Sequence, residues 1–425
     1  MIAEIIAVGS EMLTPHRQDT NSLYLTAGLN DLGVEVGFKT IVGDNLGHLT
    51  DAAKIAIDRA DVVVFSGGLG PTEDDLTREA AAAALGIELH RDPAVLTNLY
   101  QRYAARQIVM PPNNAKQADV LDGAILLANK NGSAPGQYLD TTINRRRRIV
   151  ILLPGPPGEL KPLFDEACKA RLAAALPARH LARRMLRMAL IPESQVDART
   201  APIYKQYADV ETTILAGHAE IQLHFLAARP TLAEAQARVD ELAEEIERQM
   251  GDTIFSSGGE SLEEVVLRML GRKLLTLATA ESCTGGLVAE RLTAVPNSSS
   301  TFLGGAVVYT NELKTILADV SQETIERNGA VSEETAGALA EGIRVRTGAA
   351  LGISVTGLAG PGGAADGPDA EKPIGRVYIG LADGRQTQVR ELNLTGDRTR
   401  VRYWASQHAL EIIRRYVLSS CQTGS

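Results

Sequence analysis

Ser282 and Cys283 stand side by side in TAESCTGG, Thr279 to Gly286. A hydroxyl and a thiol are both candidate nucleophiles, and each needs a base or a lowered pKa to act. The apolar run Leu274 to Ala278 precedes them, and Leu287, Val288, Arg291 and Leu292 follow at helical spacing. The pair therefore falls where a buried strand turns into a helix. Gly285 and Gly286 let backbone approach a ligand closely. The free N–H groups of a first helical turn favour an anion or an oxyanion, so backbone from Thr284 to Gly286 is the expected oxyanion cradle. The bland alternative, a helix cap beside a buried cysteine, is evenly matched on this octapeptide alone. Spacing does not separate Ser282 from Cys283.

The partners narrow the chemistry. His408 is the one histidine beyond residue 256, and it lies in a C-terminal helical pattern, so a Ser-His-Asp arrangement is poorly supported. Three lysines are available, Lys273, Lys314 and Lys372. Lys314 follows a second apolar strand, Leu303 to Val308, that ends in Tyr309, Thr310 and Asn311. A Ser–Lys or Ser–Tyr–Lys constellation is sound chemistry if Lys314 is desolvated enough to be neutral; otherwise it is a surface lysine. A third strand, Ala350 to Val355, runs into TGLAGPGG, Thr356 to Gly363, a phosphate cradle or a mobile turn. Three such loops, each leaving an apolar strand, fit ligand binding beyond the carboxyl ends of a sheet.

A second centre is suggested near the other end. The strand Asp61 to Phe65 leads into GGLGPTEDDLT, Gly67 to Thr77. Gly67, Gly68 and Gly70 would bring backbone to a ligand. Asp74 and Asp75, with Asp44 after the strand Val34 to Val42, could hold a hard divalent ion bridging a diphosphate. Plain N-capping is the favoured alternative for an isolated Asp-Asp pair.

The elements that must position these groups alternate. Residues 1 to about 170 read strand, helix, strand, which implies α/β with a mostly parallel sheet. The basic run Arg145 to Arg148 reads as a solvated hairpin tip, and LPGPPGEL, Leu153 to Leu160, places prolines in a first helical turn. Residues 171 to about 250 change to a small α+β pattern: a basic strand, two paired strands turning at Gly217, and an amphipathic helix from Thr231 to Met250. Ser261, Glu263 and Glu264 open the next helix. Ala359 to Arg376 is a Gly/Pro/Ala-rich insertion expected to be mobile, and the tail SSCQTGS is expected to be disordered.

The 425 residues suffice for two or three domains. The formal net charge of −9 implies no general nucleic-acid affinity. Cys168, Cys283 and Cys421 are far apart and odd in number, which fits a reducing compartment and no metal motif. The start MIAEIIAVGSEM lacks a basic region, so it reads as a first strand rather than a signal peptide. No apolar run approaches the roughly 18 residues of a membrane helix.

TAESCTGG, YTNELK and SVTGLAGPGG resemble the C-terminal domain of the CinA family, which is similar to nicotinamide-nucleotide amidases. GSEML, DTN, VGDN, GGLGPTEDDLT, PPNNAKQA, GSAPG and LPGPPGEL resemble its molybdopterin-binding-like N-terminal half. The resemblance implies three domains. The first, 1–170, is a three-layer α/β domain with metal-dependent ADP-ribose pyrophosphatase activity. Residues 171–252 form a small α+β KH-like linker, and 259–418 an α/β amidase acting on nicotinamide mononucleotide. It makes Ser282 the nucleophile, Tyr309 and Lys314 its activating partners, and Thr284, Gly285, Gly286, Thr356, Gly357, Gly360 and Arg398 substrate contacts. In the first domain it implies Gly67, Gly68 and Gly70 at the substrate, Asp44, Asp74 and Asp75 at a divalent ion, and Glu159 less directly. A monovalent cation is a further candidate there; the amidase needs no cofactor. An RNA-binding KH domain uses a Gly-x-x-Gly clamp, which the middle segment lacks. The expected protein is a cytoplasmic homodimer acting on small nucleotides, with no specific nucleic acid and no membrane. The competing reading is a nucleotide- or pterin-binding regulator without catalysis, connected with competence or DNA damage; product formation by the purified protein separates the two.

Overall fold

The computed structural model describes residues 1–176, 179–360 and 367–422. The chain divides into two compact units: Met1–Ala182 with Ala228–Gln236, and Arg183–Ala227 with Ala237–Ser425.

The first unit carries strands β1 (Ile2–Val8), β2 (Glu35–Val42), β3 (Val62–Ser66), β4 (Leu89–Arg91), β5 (Asp119–Leu121), β6 (Ile125–Leu127), β7 (Gly136–Ile143) and β8 (Arg146–Leu153). Six form one sheet in the order β2-β1-β3-β8-β7-β6, and β4 pairs with β5. The β2, β1, β3 and β8 neighbours are parallel, and β7 and β6 add antiparallel. Successive strand side chains point to opposite faces, and here both faces are buried. Ala3, Ile5, Val62, Val64, Ile149 and Ile151 pack with Leu25, Leu29 and Phe164 of flanking helices. Ile6, Val8, Val63, Phe65, Val150 and Leu152 pack on the other side with Leu49, Ala53 and Ala80. Near-continuous apolar strands covered on both sides are the signature of a three-layer α/β unit.

Two expectations change here. The basic run is a solvated hairpin tip only in part: the turn is Asn144–Arg145, both at positive φ, Arg145, Arg146 and Arg147 are exposed, and β8 already begins at Arg146. Arg148 is buried and donates to the Ile57 and Asp58 carbonyls at 2.6 and 2.8 Å. It thereby satisfies carbonyls at the end of the helix Leu46–Arg59. In addition, Leu172 of the helix Lys169–Ala175 packs in the first unit's core, so this helix closes that unit rather than opening the middle module.

The second unit contains a four-stranded sheet, β10-β11-β9-β12, from β9 (His180–Ala189), β10 (Val210–Gly217), β11 (Glu220–Arg229) and β12 (Ile254–Ser256). Its other sheet has the order β14-β13-β15-β16-β17, from β13 (Leu277–Glu281), β14 (Phe302–Val307), β15 (Leu351–Gly357), β16 (Arg376–Ala382) and β17 (Thr387–Asn393). β13 is parallel to both β14 and β15, and β16 and β17 are antiparallel additions. Ser261 and Glu264 form a reciprocal capping box at the helix Leu262–Arg272. The final helix, Arg398–Gln422, runs through most of the tail expected to be disordered. Among the described residues no helix is long and apolar enough to cross a membrane.

Candidate functional site

The strand β13 lies between two parallel neighbours, so its end faces the ends of β14 and β15. Ser282 N–H donates to the Val355 carbonyl at 2.8 Å, and Val308 N–H to the Glu281 carbonyl at 2.8 Å. These two bonds bring the Ser282 loop, the Tyr309 loop and the Thr356 region to one edge of the sheet. Arg398 joins them from the final helix, through a bond from its Nη2 to the Tyr309 hydroxyl at 3.0 Å.

Ser282 is 8% exposed and Cys283 4%. Burial pushes the Cys283 thiol up to about 12, against the opposing influence of its own backbone N–H and of Arg398 and Arg402. Burial so strong works against thiolate formation at Cys283, a difference between the two neighbours that spacing could not show. Lys314 is 2% exposed, at the start of the helix Asn311–Ala318. Burial lowers its pKa below the ordinary lysine value, while Asp369, Cys283 and Glu312 lie close enough to pull it back. Its hydrogen bond is a long one, 3.5 Å to the Tyr309 carbonyl. Burial thus makes the neutral amine easier to reach than for a lysine in water.

The Tyr309 phenol is 57% exposed and bonded to Arg398. It stands at the rim rather than as a relay between Ser282 and Lys314. The oxyanion cradle also changes in detail. Gly285 and Gly286 both have positive φ, but the Gly285 N–H is taken by the Ser282 carbonyl at 3.1 Å. The Thr284 and Gly286 N–H groups are left without an acceptor among the described residues. Nor does the following helix, Leu287–Thr293, present a free N-terminus. The buried Glu281 carboxylate accepts from Val288 and Ala289 N–H at 3.0 and 2.8 Å, which is a structural cap. Glu281→Gln, with one carbonyl oxygen for two donors, should destabilise the second unit by about 1–3 kcal/mol. The thermal unfolding midpoint measures this, and an unchanged midpoint would refute the capping role.

Thr356 and Gly357 belong to β15 rather than to a loop, and the Thr356 hydroxyl is spent on the Ala330 carbonyl at 2.7 Å. Gly360 has a different use: a Cβ there would come within 3.2 Å of Arg398, so the glycine makes room for that side chain. Residues 361–363 of the expected cradle lie outside the described residues. The following turn is anchored, not free. Asp369 accepts from Ala330 N–H at 2.7 Å and pairs with Lys372 at 2.8 Å. Sequence reasoning missed Arg402, whose Nε and Nη2 both hold the Thr284 carbonyl, at 3.2 and 2.7 Å. Its signal was available as an arginine one helical turn beyond Arg398.

In the first unit the ends of β1, β2, β3 and β8 converge in the same way. Ser10 and Asp44 exchange bonds, Ser10 N–H to the carboxylate at 2.7 Å and Asp44 N–H to the hydroxyl at 3.0 Å. Gly67 and Gly68 have positive φ, and a Cβ on Gly67 would strike the Val8 carbonyl oxygen at 2.4 Å. Asp75 ties the loop from within, accepting from Gly70 and Thr72 N–H at 2.8 and 2.9 Å. The helix begins only at Thr77, with no side-chain cap, so Asp74 and Asp75 are not its N-caps. Asp74 is exposed. Among the described residues no three His, Cys, Asp or Glu side chains gather to hold a metal; Asp44, Asp74 and Asp75 do not form the expected cluster, because two of them are engaged in pinning loops. Glu159 is bonded to Asn129 at 2.7 Å. Two further residues join the rim. The buried Asn21 donates to Ser66 Oγ and the Gly155 carbonyl at 3.1 and 2.7 Å. Lys116 reaches the Thr72 carbonyl at 3.4 Å and Glu79 at 3.1 Å.

Three family descriptions match successive parts of the chain: a probable molybdopterin binding domain at residues 4–174, the damage-inducible protein CinA KH domain at 183–256, and the CinA C-terminal domain at 259–417. A CinA-like protein of Acidobacterium capsulatum is 57% identical over 98% of this chain and 100% of its own length. The chain belongs to the CinA family. A CinA-like protein of Koribacter versatilis is 52% identical, again over 98% of this chain and all of the relative. A solved CinA superfamily protein from Escherichia coli is 32% identical, covering 36% of this chain and 88% of that one, with a TM-score of 0.35. In CinA terms, the Ser282 centre lies in the C-terminal domain and the Asp44–Asp75 rim in the molybdopterin-binding-like domain.

Proposed function

We propose that this CinA chain is a bifunctional hydrolase of pyridine nucleotides, cytoplasmic and homodimeric. Its C-terminal domain converts nicotinamide mononucleotide to nicotinic acid mononucleotide and ammonia, and its N-terminal domain splits ADP-ribose into AMP and ribose 5-phosphate. The observation that carries the amidase is the buried Lys314 beside the Ser282 loop, with its ammonium disfavoured by burial. Ser282 Oγ attacks the carboxamide carbon, and Lys314 takes the hydroxyl proton and delivers it to the departing nitrogen. Ammonia leaves, and water releases the acyl group from Ser282. Thr284 and Gly286 N–H groups suit the developing oxyanion. Arg398 at the rim suits the substrate phosphate, since a guanidinium pairs well with phosphate oxygens. Ammonia release from nicotinamide mononucleotide by the purified chain is the test; binding without turnover would favour the regulator instead.

The N-terminal reading rests on backbone and carboxylates at the strand ends. Asp44 and Asp75 could each give one oxygen to a divalent cation, which would supply charge neutralisation of the diphosphate. Magnesium in particular is often held by one or two carboxylates, with substrate phosphates and water completing its shell. Exhaustive chelation should therefore stop AMP formation from ADP-ribose and leave ammonia release intact; undiminished AMP formation would remove the cation from the proposal. The net charge and the missing Gly-x-x-Gly clamp favour a KH-like module that does not read RNA.

A further inference from the structure

A cavity of about 1660 Å³ in the second unit lies away from Ser282. It opens where β13 and β15 begin, beside Leu275, Ala350 and Leu351, and under the β16–β17 turn. Ser282 follows the opposite end of β13, about 17 Å along a five-residue strand. The floor is apolar, formed by Leu190, Ile191, Leu351, Ile379 and Ile412. Leu190 holds a positive φ of 59°, a conformation that is unfavourable for a bulky side chain.

The rim is cationic. Arg344, Arg385, Arg390 and Arg415 line it against Asp383 and Glu411. Both carboxylates are engaged. Asp383 accepts from Arg385 and Gln386 N–H at 2.8 Å each and from the Tyr416 hydroxyl at 2.9 Å. Glu411 pairs with Arg414 and Arg415 at 2.7 Å each. Arg344 is paired with Glu341 at 2.6 Å. Among the described residues Arg385 and Arg390 form no ion pair within 4 Å, although Asp383 is near enough to feel the charge of Arg385. His408 also lines the cavity, and its buried Nδ1 has no hydrogen-bond partner there. Burial, then Arg390, pushes the His408 imidazole down to about 4, so it is neutral and offers a donor or acceptor without charge.

We propose that this cavity is a second small-molecule site, for a nucleoside monophosphate, with the phosphate between Arg385 and Arg390 and the base over the apolar floor. A cavity with an apolar floor and a few convergent polar groups is the usual form of such a site, and guanidinium pairs are well matched to phosphate oxygens. The site is independent of the Ser282 chemistry and would stand if the amidase reading failed.

The test is hydrogen exchange on the full chain with and without millimolar AMP, which locates protection segment by segment. Protection is expected in segments 382–390 and 408–416. In the Arg385→Ala/Arg390→Ala variant it should need at least about tenfold more AMP, since each lost charged hydrogen bond is worth roughly one decade in affinity. Both residues are exposed, and unchanged exchange without AMP will show that the variant is folded. Should it misfold, Arg385→Gln and Arg390→Gln singly serve the same purpose. Protection of these segments should persist in Ser282→Ala. Protection elsewhere only, none at all, or protection indifferent to the arginines would overturn the proposal.

Discussion

Ser282→Ala should lower ammonia release from nicotinamide mononucleotide by about four orders of magnitude or more, while Cys283→Ala keeps most of it. Both side chains are nearly buried, and they differ in chemistry. The thiol is pushed up to about 12 by burial, so its thiolate is scarce at neutral pH. The hydroxyl needs only a base, and Lys314 is the available one. Lys314→Met should cost roughly 10²- to 10⁴-fold, the usual worth of a positioned general base. The double variant should be little worse than Ser282→Ala, since groups acting as a unit are not additive. The pH profile adds a sign. The base must be neutral, so kcat/KM rises as pH rises through the lowered Lys314 value. That limb should lie below the ordinary lysine pKa of about 10.4 and vanish in Lys314→Met. An inactive Cys283→Ala beside an active Ser282→Ala would make the thiol the nucleophile after all.

Asp75→Asn should abolish AMP formation from ADP-ribose, by about 100-fold or more, and leave ammonia release unchanged. The carboxylate accepts from Gly70 and Thr72 N–H, so it sets the path of the glycine loop from inside. Bonds to a charged acceptor are worth about 1.5–3 kcal/mol each, and losing even two would account for that drop. An amide turns an N–H donor toward one of the two backbone donors it should accept. The readout is paired: AMP and ammonia measured on one preparation. Loss of both would mean the substitution disturbs the whole chain, and loss of neither would remove Asp75 from the site.

The apolar strands, the glycine turns and the Ser261 capping box were legible because each is a local pattern. Val62 to Phe65 reads as buried whatever packs on it, and Ser261 with Glu264 caps through a bond three residues long. What was not legible depended on distant partners. Arg148 looked solvated within RRRR because nothing nearby in sequence shows the helix-end carbonyls that bury it. Asp74 and Asp75 looked like helix caps until the fold showed one exposed and the other holding Gly70 and Thr72. Thr284 to Gly286 were read as a free helix start; the Glu281 carboxylate in fact fills that start and the Ser282 carbonyl takes the Gly285 donor. The strand-end segments carrying Ser282, Tyr309 and Lys314 were legible through their motifs, whereas the contacts of Arg398 with Tyr309 and of Arg402 with Thr284 required the final helix to be in place.

The Arg402 clamp also has a consequence for biosynthesis. Arg402 and the Thr284 carbonyl it holds are separated by 118 residues. At a translation rate of about 5–20 residues per second, that interval lasts roughly 6–24 s. During it the nascent chain can carry a formed Ser282 loop with neither guanidinium at hand. The Ser282 centre is therefore completed late in synthesis, well after the first unit has had time to fold, and a ribosome stalled before Arg398 would display one finished unit joined to an unfinished one.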